Sequence, residues 1–173
     1  VPVVTHIVNM SILTCSFPTA YKIAKVIPLH KGKEAPTNQP KSYRPVSILP
    51  AISKVIERVI QQQITRYMND AKLFHPNHHA YRAFHSTTTA MIAMHDAWVE
   101  AAEHGMLAGV AMIDMSAAFD VVDIEILLEK CQILNMKSAS LKWLQSYLSQ
   151  RQQSVYISGH FSTVATLEAG VPQ

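Results

Sequence analysis

Between Leu107 and Ile113 the chain carries a short run of large apolar residues relieved only by Ala108, Gly109 and Ala111, a pattern that predicts a strand buried on both faces. Such a strand requires a packed domain around it. The residue it ends on, Asp114, cannot share that burial, because an ionised carboxylate must either face solvent or hold a cation. Further along, Phe119 offers a flat ring, Asp120 and Asp123 add negative charge, and a helix is predicted from Ile124 to Leu134. A buried strand that delivers an aspartate to an acidic surface and then turns into a helix suits magnesium-dependent phosphoryl transfer. Asp123 reads as the N-cap of that helix, and Asp120 reads equally as a cap or as part of the acidic surface. Asp114 stands at a strand end, where there is no helix to cap.

The net charge of +3 hides an uneven distribution. Residues 1–82 hold eleven Lys and Arg against Glu34, Glu57 and Asp70, whereas residues 83–173 hold four against nine acids. A basic half followed by an acidic half suggests a polyanion surface beside a cation site. With 173 residues, 49% hydrophobic and 16% charged, the chain suits one globular domain and is not disordered. Cys15 and Cys131 form neither a metal spacing nor a disulfide framework, which fits a reducing, intracellular setting. No apolar run approaches the ~20 residues needed to span a membrane. The first residues lack an initiator Met and the basic start of a signal peptide, and both ends read as cut.

Apolar spacing predicts a helix over Pro2–Phe17, ended by Pro18, and another over Ser53–Met68 with Ser53 as its N-cap. Lys22–His30 and Tyr43–Leu49 read as strands joined by a loop rich in Gly, Pro and Asn. His75–His85 is irregular. Ser86 or Thr87 opens a helix to about His104, stopped by Gly105. A further helix covers Ser140–Leu148, and Gln153–Ile157 with Thr163–Leu167 read as a hairpin joined through Gly159-His160. Strands and helices without regular alternation predict an α+β fold.

Three constellations could carry chemistry. Lys22, Lys25, Lys31, Lys33, Lys41 and Arg44 share one strand–loop–strand region with only Glu34 against them, and lysine point charges with an arginine fork suit phosphate oxygens. The same composition also describes ordinary soluble surface. His75, His78, His79 and His85 invite zinc, but Pro76 interrupts any regular helix there, no Cys lies nearby and no His-Glu-x-x-His pattern exists. The third constellation is Asp114. One carboxylate cannot hold two cations about 3.5–4 Å apart, so its partners lie outside the chain or, less favourably, are Asp120 and Glu125. No Ser-His-Asp, P-loop or dinucleotide pattern competes.

In order and spacing these segments resemble the reverse transcriptase of non-long-terminal-repeat (LINE-type) retrotransposons, over nearly the whole chain. Lys22-Ile-Ala-Lys-Val-Ile-Pro-Leu-His-Lys31 and Ser42-Tyr-Arg44-Pro-Val-Ser-Ile-Leu49 look like that family's fingers hairpin and its Arg-Pro-x-Ser signature. Ser53-Lys-Val-Ile-Glu-Arg58 matches the following helix, and His78-His-Ala-Tyr-Arg82 with Ser86-Thr87 and Ala90 looks like the Gln-x-Gly-Phe-Arg segment with its downstream Ser-Thr. Ala111-Met-Ile-Asp114-Met-Ser-Ala-Ala-Phe119-Asp120 is similar to the first palm motif, and Gly170-Val-Pro-Gln173 to the start of the next.

The resemblance implies a right-hand polymerase fold truncated before the later palm motif and thumb. Residues of about 1–105 would form fingers, about 106–135 the first palm segment, and about 136–173 a helix and hairpin leading to the next motif. It implies RNA-directed DNA synthesis on an RNA template and DNA primer from deoxynucleoside triphosphates, with two magnesium ions in the complete enzyme. Asp114 would be the catalytic metal ligand, with the Met115 carbonyl a second oxygen. Lys31 and Arg44 would clamp the triphosphate, Phe119 would exclude a ribose 2′-hydroxyl, Gln173 would lie near the nascent base pair, and Arg82 would touch the template. The remainder of the same polyprotein is the implied partner, and the nucleus the implied site of action. His78 replaces the usual Gln, Ala80 the usual Gly, and Ile124 a common His, so the backbone at Ala80 is expected to avoid positive φ. The alternative reading is a non-catalytic retroelement remnant, at most a nucleic-acid-binding fragment. An intron-type polymerase fits less well, given the long loop between Lys31 and Arg44.

Overall fold

The computed structural model describes residues 2–32, 34–115 and 117–171. They fall into two compact units, residues 1–61 with 116–173, and residues 62–115. The elements are α and β with a small mixed sheet, in agreement with the α+β expectation.

In the first unit α1 (Pro2–Leu13) ends short of its predicted limit. The chain turns at Cys15, whose φ is +51°, with Ser16 N–H donating to the Ser11 carbonyl at 3.0 Å. That turn releases Phe17 from the helix and lets it drop fully into the core. There it meets Val8, Ile56 and Trp143. Phe17 stands edge-on to Trp143 (5.8 Å, 87°) and Tyr147 (5.0 Å, 80°), which themselves stack at 5.3 Å. Edge-to-face and offset pairs of this kind add about 0.5–1.5 kcal/mol each beyond the area they bury. The Trp143 indole N–H donates to Ser11 Oγ at 2.9 Å, so the indole's polar atom is satisfied.

α2 (Ala51–Asp70) starts earlier than its pattern suggested, and Ser53 is not its cap. Ser53 lies inside the helix, fully buried, with Oγ donating to Glu57 Oε1 at 2.7 Å. Tertiary burial thus recruits a residue type that local chemistry would place at a helix end. α4 (Ile124–Ile133) is capped as predicted, Asp123 Oδ1 accepting from the amides of Glu125 and Ile126 at 2.9 and 3.0 Å. α5 (Ser138–Leu148) begins two residues before the predicted Ser140.

The sheet runs β2 (Tyr43–Ile48), β1 (Ile23–His30), β3 (Gln152–Ile157), β4 (His160–Phe161), with β5 (Ala165–Thr166) also on β3. β1 pairs antiparallel with β2 and parallel with β3. The β3–β4 hairpin turns on Ser158 and Gly159, both at positive φ (+48° and +89°), the backbone of a two-residue I′ turn. The return leg is two short pieces, not the single strand predicted over Thr163–Leu167. Ser162 interrupts it, its N–H donating to the Val155 carbonyl (2.8 Å) while its Oγ accepts from the Val155 amide (3.0 Å).

Where β1 and β3 begin, two cations are buried. Lys22 Nζ donates to the Ser149 carbonyl at 3.2 Å, and Arg151, 1% exposed, donates from Nη1 to the Tyr147 carbonyl at 3.0 Å. Burial lowers both pKa values, and Arg151 presses Lys22 further down. Tyr147 and Glu57 act in the opposite direction on Arg151. The Arg151 guanidinium lies 4.9 Å from the Tyr147 ring centre and 5.8 Å from that of Phe17, so part of its desolvation is offset by ring faces.

The second unit contains most of α2's C-terminal half and α3 (Thr87–Glu103). Ser86 caps α3 in a reciprocal box with Thr89, and Gly105 follows its end at φ +67°. No described residue of 62–115 is buried. The predicted strand over Leu107–Ile113 is not formed. Leu107 is 102% and Ile113 90% exposed, and every strand among the described residues belongs to the other unit. A strand buried on both faces needs neighbours to satisfy its amides and cover its side chains, and the described residues of this unit provide none. No helix of the described residues is long and apolar enough to cross a membrane.

Candidate functional site

The basic hairpin is built by register. β1 and β2 pair as His30 with Tyr43 and Leu29 with Arg44, and the Lys31 amide extends the ladder to the Ser42 carbonyl at 2.8 Å. Alternation therefore places Lys31 and Arg44 on one face of the ribbon, diagonal to each other. His30 and Tyr43 take the other face, with rings 5.1 Å apart. Lys31 Nζ donates to the Lys41 carbonyl at 2.6 Å, which holds the charge at the hairpin tip. Both Lys31 and Arg44 are exposed, and among the described residues neither pairs with a carboxylate. Two such cations at the end of a rigid ribbon can take phosphate oxygens without first breaking an ion pair.

Asp114 and Met115 are exposed at the end of the second unit. Phe119 and Asp120 open the following segment of the first unit, where Asp120 N–H turns back to the Ala117 carbonyl at 2.9 Å. Asp120 thus belongs to a turn and is not the helix cap. Phe119 is 44% exposed. Its carbonyl accepts from the Val171 amide at 2.9 Å, and the Val122 carbonyl accepts from the Gly170 amide at 2.9 Å. These two bonds bring the 119–122 segment against the chain's last described residues. They force a close approach. A Cβ on Gly170 would sit 2.7 Å from the Asp120 carbonyl oxygen, and Gly170 has φ +85°. Only glycine meets both demands. The role of Gly170 was legible in sequence as a motif fragment, but its contact with Asp120 was not. Gln173 lies outside the described residues.

Arg82 lies in the second unit, its guanidinium 5.3 Å from the Phe74 ring, which in turn stacks on His78 at 5.5 Å. Ala80 is not at positive φ, as its replacement of glycine demanded; the left-handed positions of the segment are Tyr81 (+52°) and Phe84 (+62°). His79 Nδ1 is 2.8 Å from Thr89 Oγ1, and its ring is 5.3 Å from that of His85.

Among the described residues no three His, Cys, Asp or Glu side chains gather as a metal site. The histidine-rich segment is held by ring stacking and local hydrogen bonds. Asp114 with one backbone carbonyl does not make a magnesium site either, since an ion that dehydrates reluctantly needs more anionic oxygens than these.

The basic hairpin, the exposed Asp114 ahead of the turn bearing Phe119, and the glycine held against that turn follow one another in this order along the chain. The family description "Reverse transcriptase (RNA-dependent DNA polymerase)" matches residues 29–173, and the chain belongs to that family. Similar relatives include the RNA-directed DNA polymerase from mobile element jockey of Drosophila melanogaster, 32% identical over 91% of this chain. Two others, described as probable RNA-directed DNA polymerases from transposon X-element and transposon BS of the same fly, are 34% and 31% identical over 98% and 91% of the chain. The chain spans 17% or 18% of the length of these curated relatives.

Proposed function

We propose that the chain is a segment of the RNA-directed DNA polymerase of a non-long-terminal-repeat retrotransposon polyprotein. Residues of about 1–105 belong to its fingers, about 106–135 to the first palm segment, and about 136–173 lead into the next motif. In the complete protein a primer 3′-hydroxyl attacks the α-phosphorus of a deoxynucleoside triphosphate paired to an RNA template, and pyrophosphate leaves. The family uses divalent metal ions, two magnesium ions on this reading, with Asp114 one carboxylate of the set and the Met115 carbonyl a further oxygen. Lys31 and Arg44 take the triphosphate, Phe119 fills the space of a 2′-hydroxyl, Gln173 lies by the nascent pair, and Arg82 lies along the template. The unpaired Leu107–Ile113 run receives its neighbouring strands from the rest of the polyprotein, which acts in the nucleus.

The observation that carries this reading is the pairing of residues 119–122 with 170–171 through a glycine that has no room for a side chain. It supports the reading, on which residues 119–122 and 170–171 would belong to two palm segments that such a polymerase brings together. The test is primer extension by the full-length parent protein. Asp114→Ala abolishes synthesis, because charge neutralisation of several kcal/mol is lost from the transition state. Phe119→Val keeps DNA synthesis and admits ribonucleotides. Extension by Asp114→Ala overturns the catalytic assignment, and a wild-type parent that binds nucleic acid without extending primers indicates the non-catalytic remnant.

A further inference from the structure

We infer that Lys22 and Arg151 form a buried node that fixes the register of β1 on β3, and so act as positioning residues for the triphosphate clamp at Lys31 and Arg44. The inference rests on the polymerase reading and adds two residues to it that act from a distance. Lys22 is 5% and Arg151 1% exposed, and burial made by this chain alone can only deepen in a longer one. Among the described residues neither cation forms an ion pair with a carboxylate, and none supplies a hydrogen bond to Arg151 Nε or Nη2. Burying two like charges in this way is costly. The best-attested role of buried charge that adds little stability is the selection of one register.

Each of the two residues makes one bond to a helix and one to the sheet. The Lys22 ammonium holds the Ser149 carbonyl and Arg151 Nη1 the Tyr147 carbonyl, both at the C-terminal end of α5, where the helix carbonyls favour cations. Their own carbonyls accept from the sheet, Lys22 from Gln152 N–H at 3.1 Å and Arg151 from Leu167 N–H at 2.9 Å. The first pair of the parallel ladder, Ile23 with Gln152, follows at once. That ladder carries little hydrophobic guidance of its own. Its β3 half is Gln152, Gln153, Ser154 and Val155, which brings a single apolar side chain to the pairing, and strands of this kind are prone to slip. A slip of two residues, which keeps every side chain on its face, would carry β1 along β3 by about 6–7 Å. β1 ends at the Lys31–Arg44 tip, while the chain from Leu167 runs to Gly170 and its bond to Val122. The node therefore stands at the root of both arms, the clamp and the glycine contact, and sets the distance between them.

The test uses the full-length parent protein, with hydrogen exchange read by mass spectrometry beside steady-state primer extension. Arg151→Met and Lys22→Met, which keep an apolar stem and remove the donors, each raise exchange in peptides covering residues 23–26 and 152–155. Each raises KM for the incoming deoxynucleotide by about 10-fold or more and leaves primer–template affinity unchanged. The double variant is no worse than either single one, because the same node is lost. Arg151→Lys, which keeps the charge and a donor for the Tyr147 carbonyl, restores both readings. Val8→Ala opens a cavity in the core of the same unit; it lowers the urea midpoint and leaves KM as in the wild type. If Arg151→Met does not fold, Lys22→Met decides by the same two readings. Unchanged exchange in the methionine variants overturns the register lock, and raised exchange with unchanged KM overturns the positioning role. A rise of KM in Val8→Ala equal to theirs also overturns it, since the effect is then loss of stability alone. A wild-type parent that extends no primers overturns the polymerase reading and the positioning role with it, whereas an active wild type leaves that reading standing whichever way the variants fall.

Discussion

Replacing Gly170 by alanine tests the contact that joins residues 170–171 to residues 119–122. The new Cβ would lie 2.7 Å from the Asp120 carbonyl oxygen and 2.9 Å from its carbonyl carbon and Cα, all backbone atoms that cannot rotate aside. Holding alanine at φ +85° costs about 1–2 kcal/mol by itself. Relieving the overlap requires the two segments to part. That weakens the Gly170–Val122 and Val171–Phe119 hydrogen bonds, both 2.9 Å, at about 1 kcal/mol each. The sum is about 3–4 kcal/mol, a large part of the stability of a domain this size. Gly159 is the internal control: its φ is +89°, yet a Cβ added there would meet no atom within 4 Å, so Gly159→Ala costs only the backbone share of about 1–2 kcal/mol. Urea unfolding in a Trp98→Phe background follows buried Trp143 and so reports the unit that contains both glycines. A midpoint shift for Gly170→Ala no larger than that for Gly159→Ala refutes the close approach and, with it, the pairing of the two segments.

Two further outcomes follow from buried polar groups and caps. Burial, then the Glu57 charge and hydrogen bond, push the Tyr147 hydroxyl up to about 12 against Arg151. Its contribution is therefore complete below about pH 10, and stability falls between about pH 10 and 12, where the unfolded phenol ionises and the folded one does not, by up to ~3 kcal/mol. Urea unfolding at stepped alkaline pH should show this slope in the wild type and a shallower one in Tyr147→Phe; equal slopes reject the assignment. Ser86→Ala removes the cap of α3, in which Thr89 N–H donates to Ser86 Oγ at 3.2 Å, and should cost about 1 kcal/mol. Faster amide exchange confined to the first turn of α3 is the expected signature, and unchanged exchange there contradicts it.

Features set within a few residues were legible without coordinates. Asp123 and Ser86 cap the helices they precede because a side-chain oxygen needs only the next turn of backbone to bond. The Lys31–Arg44 hairpin is announced by two strand-forming runs around a Gly/Pro loop, and the ordered motifs identify the family because each is a local string. Tertiary structure alone decided what depends on distant partners. Ser53 looks like a cap but is buried once α2 packs on the core. Arg151 looks like surface, yet it is enclosed because Tyr147 and Phe17 offer it their faces. Leu107–Ile113 has every local mark of a buried strand and is exposed, because strand formation is a property of a pair and hydrophobic pattern cannot supply the second member. Gly170 is an ordinary glycine in the string; only the hydrogen bonds to Phe119 and Val122, some fifty residues away, leave it no space for a side chain.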